Sequence, residues 1–112
     1  MSEGISAGLL TAMILIEVPK RFPAGTRCWR SSVLVGRALH DDRILRAGLK
    51  GQSDISGIMA PSGRFLAIEV KVGKDRMRTH QEAFRSMILR AGGIHVIARD
   101  LEQAIKDIEG QL

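Results

Sequence analysis

The chain has 112 residues, 45% apolar and 26% charged, with a net charge of +5; that length sustains one hydrophobic core, and that balance excludes a disordered chain. Its single cysteine, Cys28, leaves no intramolecular disulfide, so nothing points to an oxidising compartment. The longest apolar run, residues 7–16, is about half a membrane span and follows Glu3 rather than a basic segment, which argues against a transmembrane helix or signal peptide and for a cytoplasmic protein without a membrane partner.

Residues 2–18 read as a helix, with Ser2 able to cap its start. Ile5, Leu9, Met13 and Ile16 recur every three or four positions, Leu10 and Ile14 widen the stripe, and Pro19 stops or bends the helix. Residues 20–26 form a basic loop, and residues 27–35 read as a strand in which Arg30 suits a phosphate. Trp29 reads as a core or dimer-surface residue before a base-stacking one. Residues 36–50 lack periodicity and carry Arg37, Arg43, Arg46 and Lys50; they suggest a loop or short hairpin. Within it His40-Asp41-Asp42 reads as a solvated turn, because three adjacent side chains cannot all face one point.

Residues 51–72 hold two short strands joined by the turn Ala60-Pro61-Ser62-Gly63. In the second, Phe65 to Val72, a period of two puts Leu66, Ile68, Val70 and Val72 on one face and Glu69 and Lys71 on the other. Residues 73–78 are a basic loop with Lys74, Arg76 and Arg78, and Thr79-His80-Gln81-Glu82 has the form of a capping box. The helix that follows runs to about Arg90, with Phe84, Met87, Ile88 and Ala91 inward, and Gly92-Gly93 closes it. Ile94 to Ala98 is a strand apolar enough to be buried on both faces. Asp100 can cap a last helix, with Gln103 in the reciprocal position and Leu101, Ala104, Ile105 and Ile108 inward. The order α-β-β-β-α-β-α describes an α/β fold, a mixed β-sheet flanked by helices in one domain spanning residues 1–112.

The charge is unevenly placed. Residues 20–99 hold sixteen Lys or Arg against six Asp or Glu, whereas residues 1–19 carry −2 and residues 100–112 carry −3. A basic middle of this kind favours a polyanion such as nucleic acid. It surrounds one candidate site: Asp54 at the start of the first hairpin strand, then fourteen residues, then Glu69-Val70-Lys71. Two carboxylates converging from adjacent strands suit a hard divalent cation, and an ammonium two residues beyond one of them can act on a water or a phosphate oxygen.

Gly51-Gln52-Ser53-Asp54-Ile55, Gly63-Arg64-Phe65-Leu66-Ala67-Ile68-Glu69-Val70-Lys71, Gln81 and Gly92-Gly93, in that order, resemble the VRR-NUC branch of the PD-(D/E)xK nuclease superfamily. The resemblance covers roughly residues 48–99. It implies a restriction-endonuclease-like core and metal-dependent phosphodiester hydrolysis in branched or flapped DNA. Small members resemble homodimers whose paired sites cut two strands of a four-way junction, with the first helix and Trp29 as candidates for the interface.

The resemblance further implies that Asp54, Glu69 and the carbonyl of Val70 hold Mg²⁺ or Mn²⁺, that Lys71 acts on the attacking water, and that Gln81 positions Lys71 or the phosphate. It also implies an acidic residue from the first helix near the site, for which Glu3 is preferred to Glu17. Arg30, Lys50, Arg64, Lys74, Arg76 and Arg78 are the expected contacts to the DNA backbone. The alternatives are an inactive nucleic-acid-binding module on the same fold, or a restriction or RNA-processing nuclease.

Overall fold

A computed structural model describes residues 4–31, 34–37, 44–47 and 51–112, the two short segments by backbone alone. Ser2, Glu3, His40-Asp41-Asp42 and Lys50 lie outside the described residues. The elements are α1 (Ala7–Arg21), β1 (Arg27–Arg30), β2 (Leu34–Arg37), β3 (Ile44–Ala47), β4 (Ile55–Met59), β5 (Arg64–Val70), α2 (Thr79–Arg90), β6 (Ile94–Ala98) and α3 (Leu101–Gln111).

Four strands make a mixed sheet in the order β1-β4-β5-β6, antiparallel except for β5 and β6, which run parallel because α2 carries the chain across between them. Counting the strands of this sheet alone, the order is α-β-β-β-α-β-α, as expected. The expected single strand over 27–35 is two: the ladder with β4 ends where the Ser31 N–H donates to the Asp54 carbonyl at 2.8 Å. Beyond it β2 pairs antiparallel with β3 in a separate two-stranded sheet, so the hairpin reading of residues 36–50 is the correct one.

The core lies between the sheet and the helix pair α1 and α3. Leu10, Ile14 and Val18 pack with Ile55, Met59, Leu66, Ile68, Val96, Ala104 and Ile108. The stripe expected on α1 is therefore rotated: Leu9 and Ile16 are 55% and 56% exposed, while Thr11 joins the buried side. The helix also starts later than expected, at Ala7, with the Ser6 hydroxyl accepting from the Leu9 N–H at 3.1 Å.

Pro19 does not end α1, which continues to Arg21. The lost N–H falls in the last turn, and that turn is held from outside. The Arg21 guanidinium forks onto Glu102 of α3, Nη1–Oε1 3.2 Å and Nη2–Oε2 2.6 Å, and reaches Glu17 at 3.3 Å. The hydrogen bond from Arg21 lowers the Glu102 pKa below its ordinary value.

The opposite face of the sheet carries α2, where Phe84 and Ile88 cover Ala67. Met87 and Ala91, expected inward, are exposed. Thr79 is the first residue of α2 rather than its cap: the Arg78 N–H is the group that Gln81 Oε1 accepts, at 2.9 Å. The helix closes through Gly92 at φ +89°, with the Gly93 N–H on the Ile88 carbonyl.

At the edge strand β6, the Gln111 carboxamide meets both main-chain groups of His95, accepting from its N–H at 3.2 Å and donating to its carbonyl at 2.8 Å. Asp100 caps α3 by accepting from the Gln103 N–H at 2.9 Å, as expected.

Candidate active site

A cleft of about 500 Å³ opens where the C-terminal end of β5 meets the first turns of α1 and α2. Its walls include Ala7 and Thr11 of α1, Arg30 and Ser31 after β1, Gln52 to Asp54 before β4, Glu69 to Lys71, Asp75, Arg78 and Gln81. Local chemistry brings these distant segments together.

Gly51 has φ +79°, and a Cβ there would lie 2.1 Å from the His80 carbonyl oxygen, so only glycine lets this loop press against the first turn of α2. That contact brings Gln52, Ser53 and Asp54 to the same cleft as Gln81. Ser53 is buried beneath, its Oγ 3.2 Å from His95 Nε2. Burial, with Arg85 nearby, lowers the His95 pKa to about 4, so the ring is neutral at pH 7.

Asp54 and Glu69 stand side by side. The Val70 N–H donates to Asp54 Oδ2 at 2.8 Å, and the two carboxyl groups share a hydrogen bond. Glu69 is 2% exposed, and its Oε2 has no hydrogen-bond partner among the described residues. Burial, then the bond and charge of Asp54, push the Glu69 pKa up to about 8 against a smaller lowering by Lys71.

Lys71 leaves β5 on the same wall, its N–H tied to the Ala98 carbonyl at 2.9 Å. Its ammonium is buried, 3.8 Å from Asp75 Oδ2. Asp75 escaped the sequence reading because it lies in a loop, where spacing assigns no face; its one signal was an acid inside a basic run. Arg99 fixes that loop, donating to the carbonyls of Lys71 at 3.0 Å, Gly73 at 3.4 Å and Asp75 at 3.2 Å. Gln52 was also passed over, and its buried Oε1 has no partner at the cleft.

The other expected residues divide. Arg30, Arg78 and Gln81 line the cleft. Lys74 and Arg76 are exposed beside it, around a shallow depression shared with Asp75 and Arg99. Arg64 begins β5, about 16 Å of strand from Glu69. Its guanidinium donates to the carbonyls of Gly92 at 2.8 Å, Gln111 at 2.7 Å and Gly93 at 3.4 Å. It clamps the fold and does not face the cleft. Glu17 pairs with Lys20 and Arg21, away from the cleft, and Glu3 lies outside the described residues.

A family model, the VRR-NUC domain, matches residues 17–99. The chain belongs to the VRR-NUC domain family. The match covers every cleft segment except the first turn of α1, and it makes this a nuclease-type domain of the PD-(D/E)xK superfamily. No curated protein and no solved structure matches the chain.

The donor set of this VRR-NUC domain fits a divalent cation of the Mg²⁺ class. Among the described residues no three acidic, His or Cys side chains come together. The buried Glu69 Oε2 beside Asp54 is nevertheless an oxygen site that nothing among the described residues satisfies. An octahedral ion held by two carboxylates takes its remaining ligands from main-chain carbonyls and water. Among the described residues no helix is long and apolar enough to cross a membrane.

Proposed function

We propose that the chain is an Mg²⁺- or Mn²⁺-dependent endodeoxyribonuclease that hydrolyses phosphodiester bonds in branched DNA. The observation that carries this reading is the pair Asp54 and Glu69, in contact at the cleft with Glu69 Oε2 unpartnered and the buried Lys71 ammonium on the same wall.

Asp54, Glu69 and the Val70 carbonyl would hold the cation. When bound, it supplies a Lewis acid for the scissile phosphate and lowers the pKa of a water. Lys71, restrained by Asp75 and by the Arg99 brace, offers a fixed positive charge to the attacking water or a phosphate oxygen. Gln81 has its Oε1 engaged in capping α2, so its amide nitrogen is the group left for substrate. Arg30 and Arg78 at the cleft, with Lys74 and Arg76 beyond it, contact the backbone without reading bases.

The second half of the proposal is a homodimer. Leu9 and Ile16 leave an apolar stripe exposed on the outer side of α1, and pairing two copies there enlarges a small binding surface to reach two arms of one junction.

The test is cleavage of a labelled four-way junction, a flap and a linear duplex with Mg²⁺, Mn²⁺ or EDTA, alongside Asp54→Ala. Metal-dependent cutting of branched DNA that vanishes in the variant is the expected result. Binding without cutting in any metal identifies an inactive module, and equal cutting of all DNAs removes the structure preference. Light scattering of the protein and of Leu9→Glu tests the dimer, which the variant should dissociate.

A further inference from the structure

The sheet face that carries α2 is only partly covered. Phe84 and Ile88 lie over Ala67, and Phe84 meets the His95 ring edge-on at 6.4 Å, which shields β5 and β6. On β1 the Cys28 thiol turns the other way, its Sγ 4.0 Å from the Ile14 carbonyl of α1. Arg27 and Trp29 therefore stand on the α2 face.

The strand register sets Arg27 beside Ile58 and Ile58 beside Phe65, with Trp29 beside Ser56. Trp29, Ile58 and Phe65 are 50%, 43% and 39% exposed. The patch is continuous with the cleft. Ser31 follows Trp29 on the same face, about 6.6 Å along the strand; its Oγ lies 2.6 Å from Ser56 Oγ, and Ser31 and Arg30 line the cleft.

We propose that Trp29 is the stacking platform for an unpaired base beside the scissile phosphate. The site therefore takes DNA with a single-stranded arm or frayed end in preference to fully paired DNA. The inference rests on the nuclease reading above and narrows it. An indole offers a flat apolar surface to any base whose faces are free, whereas a base inside a duplex has both faces occupied. Arg27, two residues along on the same face, suits a phosphate beside that base, and Arg30, on the other face of β1, lines the adjoining cleft. The residues of this patch, Arg27, Trp29, Ser56, Ile58 and Phe65, include no acid. A second copy seated on the same patch would bring Arg27 towards its own counterpart, which disfavours that occupant.

Trp29 is the one tryptophan, and the chain has no tyrosine, so tryptophan emission reports this position alone. In EDTA, a duplex with a single-stranded flap should quench that emission, and the fully paired duplex of the same sequence should not. By anisotropy of labelled DNA, Trp29→Ala should bind the flapped duplex about tenfold more weakly or worse with its affinity for the paired duplex unchanged, and Trp29→Phe should restore most of that affinity. Equal quenching by both DNAs overturns the proposal. So does an equal loss of affinity for both in a variant whose circular dichroism and melting match the parent, or an emission change that follows protein concentration without DNA, which places a second copy there. The binding arm needs no metal. Selective quenching in a protein that cuts nothing with Mg²⁺ would sink the nuclease reading and leave the base site standing.

Discussion

The two ends of β5 carry charge to opposite purposes. At its start, the guanidinium of Arg64 is satisfied by the carbonyls of Gly92, Gly93 and Gln111, and it ties the α2–β6 turn and the end of α3 to the sheet. At its end, Glu69 and Lys71 are as deeply buried as core residues, yet among the described residues Glu69 Oε2 has no partner and the ion-pair partner of Lys71 is Asp75, 3.8 Å away. A satisfied buried charge stabilises; an unsatisfied one costs stability and is retained where a ligand completes it. The strand thus separates a structural end from a reactive end.

Substitutions at the reactive end should trade activity for stability. Glu69→Gln keeps the shape of the protonated acid and gives Asp54 a permanent donor. Cleavage should fall by about 10²-fold or more, while the metal-free protein should melt higher at pH 8; a lower melting temperature would show that the Glu69 charge supports the fold. Lys71→Met should also cost about 10²-fold in kcat, with melting unchanged or raised, because the stem stays buried and Asp75 is more than half exposed.

The reactive end also has a pH signature. Folded Glu69 keeps its proton up to about pH 8, whereas its ordinary value is 4.5. This group therefore weakens the metal-free protein as pH rises from about 4.5, levelling off above about 8, by on the order of a few kcal/mol. His95 acts in the opposite direction: its pKa of about 4 against 6.5 makes stability fall as pH drops below 6.5. Melting in EDTA across pH 5 to 9 should decline on the alkaline side, and Glu69→Gln should flatten that decline. Calorimetry in buffers of different ionisation enthalpy should show a proton released on Mg²⁺ binding at pH 7.

At the structural end the effects should be on stability alone. Gly51→Ala is an intermediate case, since its methyl would strike the His80 carbonyl at 2.1 Å from a backbone at φ +79°. It should cost about 3 kcal/mol in urea unfolding and reduce cleavage by displacing Asp54 from its place in the cleft. Arg64→Ala should cost about 2 kcal/mol and leave kcat unchanged while the protein is folded. Lost DNA affinity in Arg64→Ala, with folding intact, would return that arginine to the binding surface.

The same contrast explains what the sequence could convey. Alternation along β5 placed Leu66, Ile68 and Val70 in the core and Glu69 opposite them, because a period of two admits only two registers. On α1, Leu9 with Ile16 and Leu10 with Ile14 both satisfy helical spacing, and only contact with the sheet chooses between them. Arg64 looked like a phosphate contact because its three partners come from segments 28 to 47 residues away, and carbonyls leave no mark in a sequence. Asp75 and Arg99 were hidden for the same reason: their roles exist only once the loop after β5 has closed. The acidic pair was legible because its chemistry needs two residue types at one spacing, whatever surrounds them.

The Gln111 carboxamide on His95 bears on how copies of this protein stay apart. β6 is the last strand of the sheet, and an open strand edge recruits other chains by backbone pairing. Gln111 occupies an N–H and a carbonyl of that edge with a side chain that mimics one residue of a neighbouring strand and cannot be extended. Replacing it would leave the nuclease chemistry intact but free the edge to pair, so aggregation, rather than lost activity, should be the first defect of such a variant.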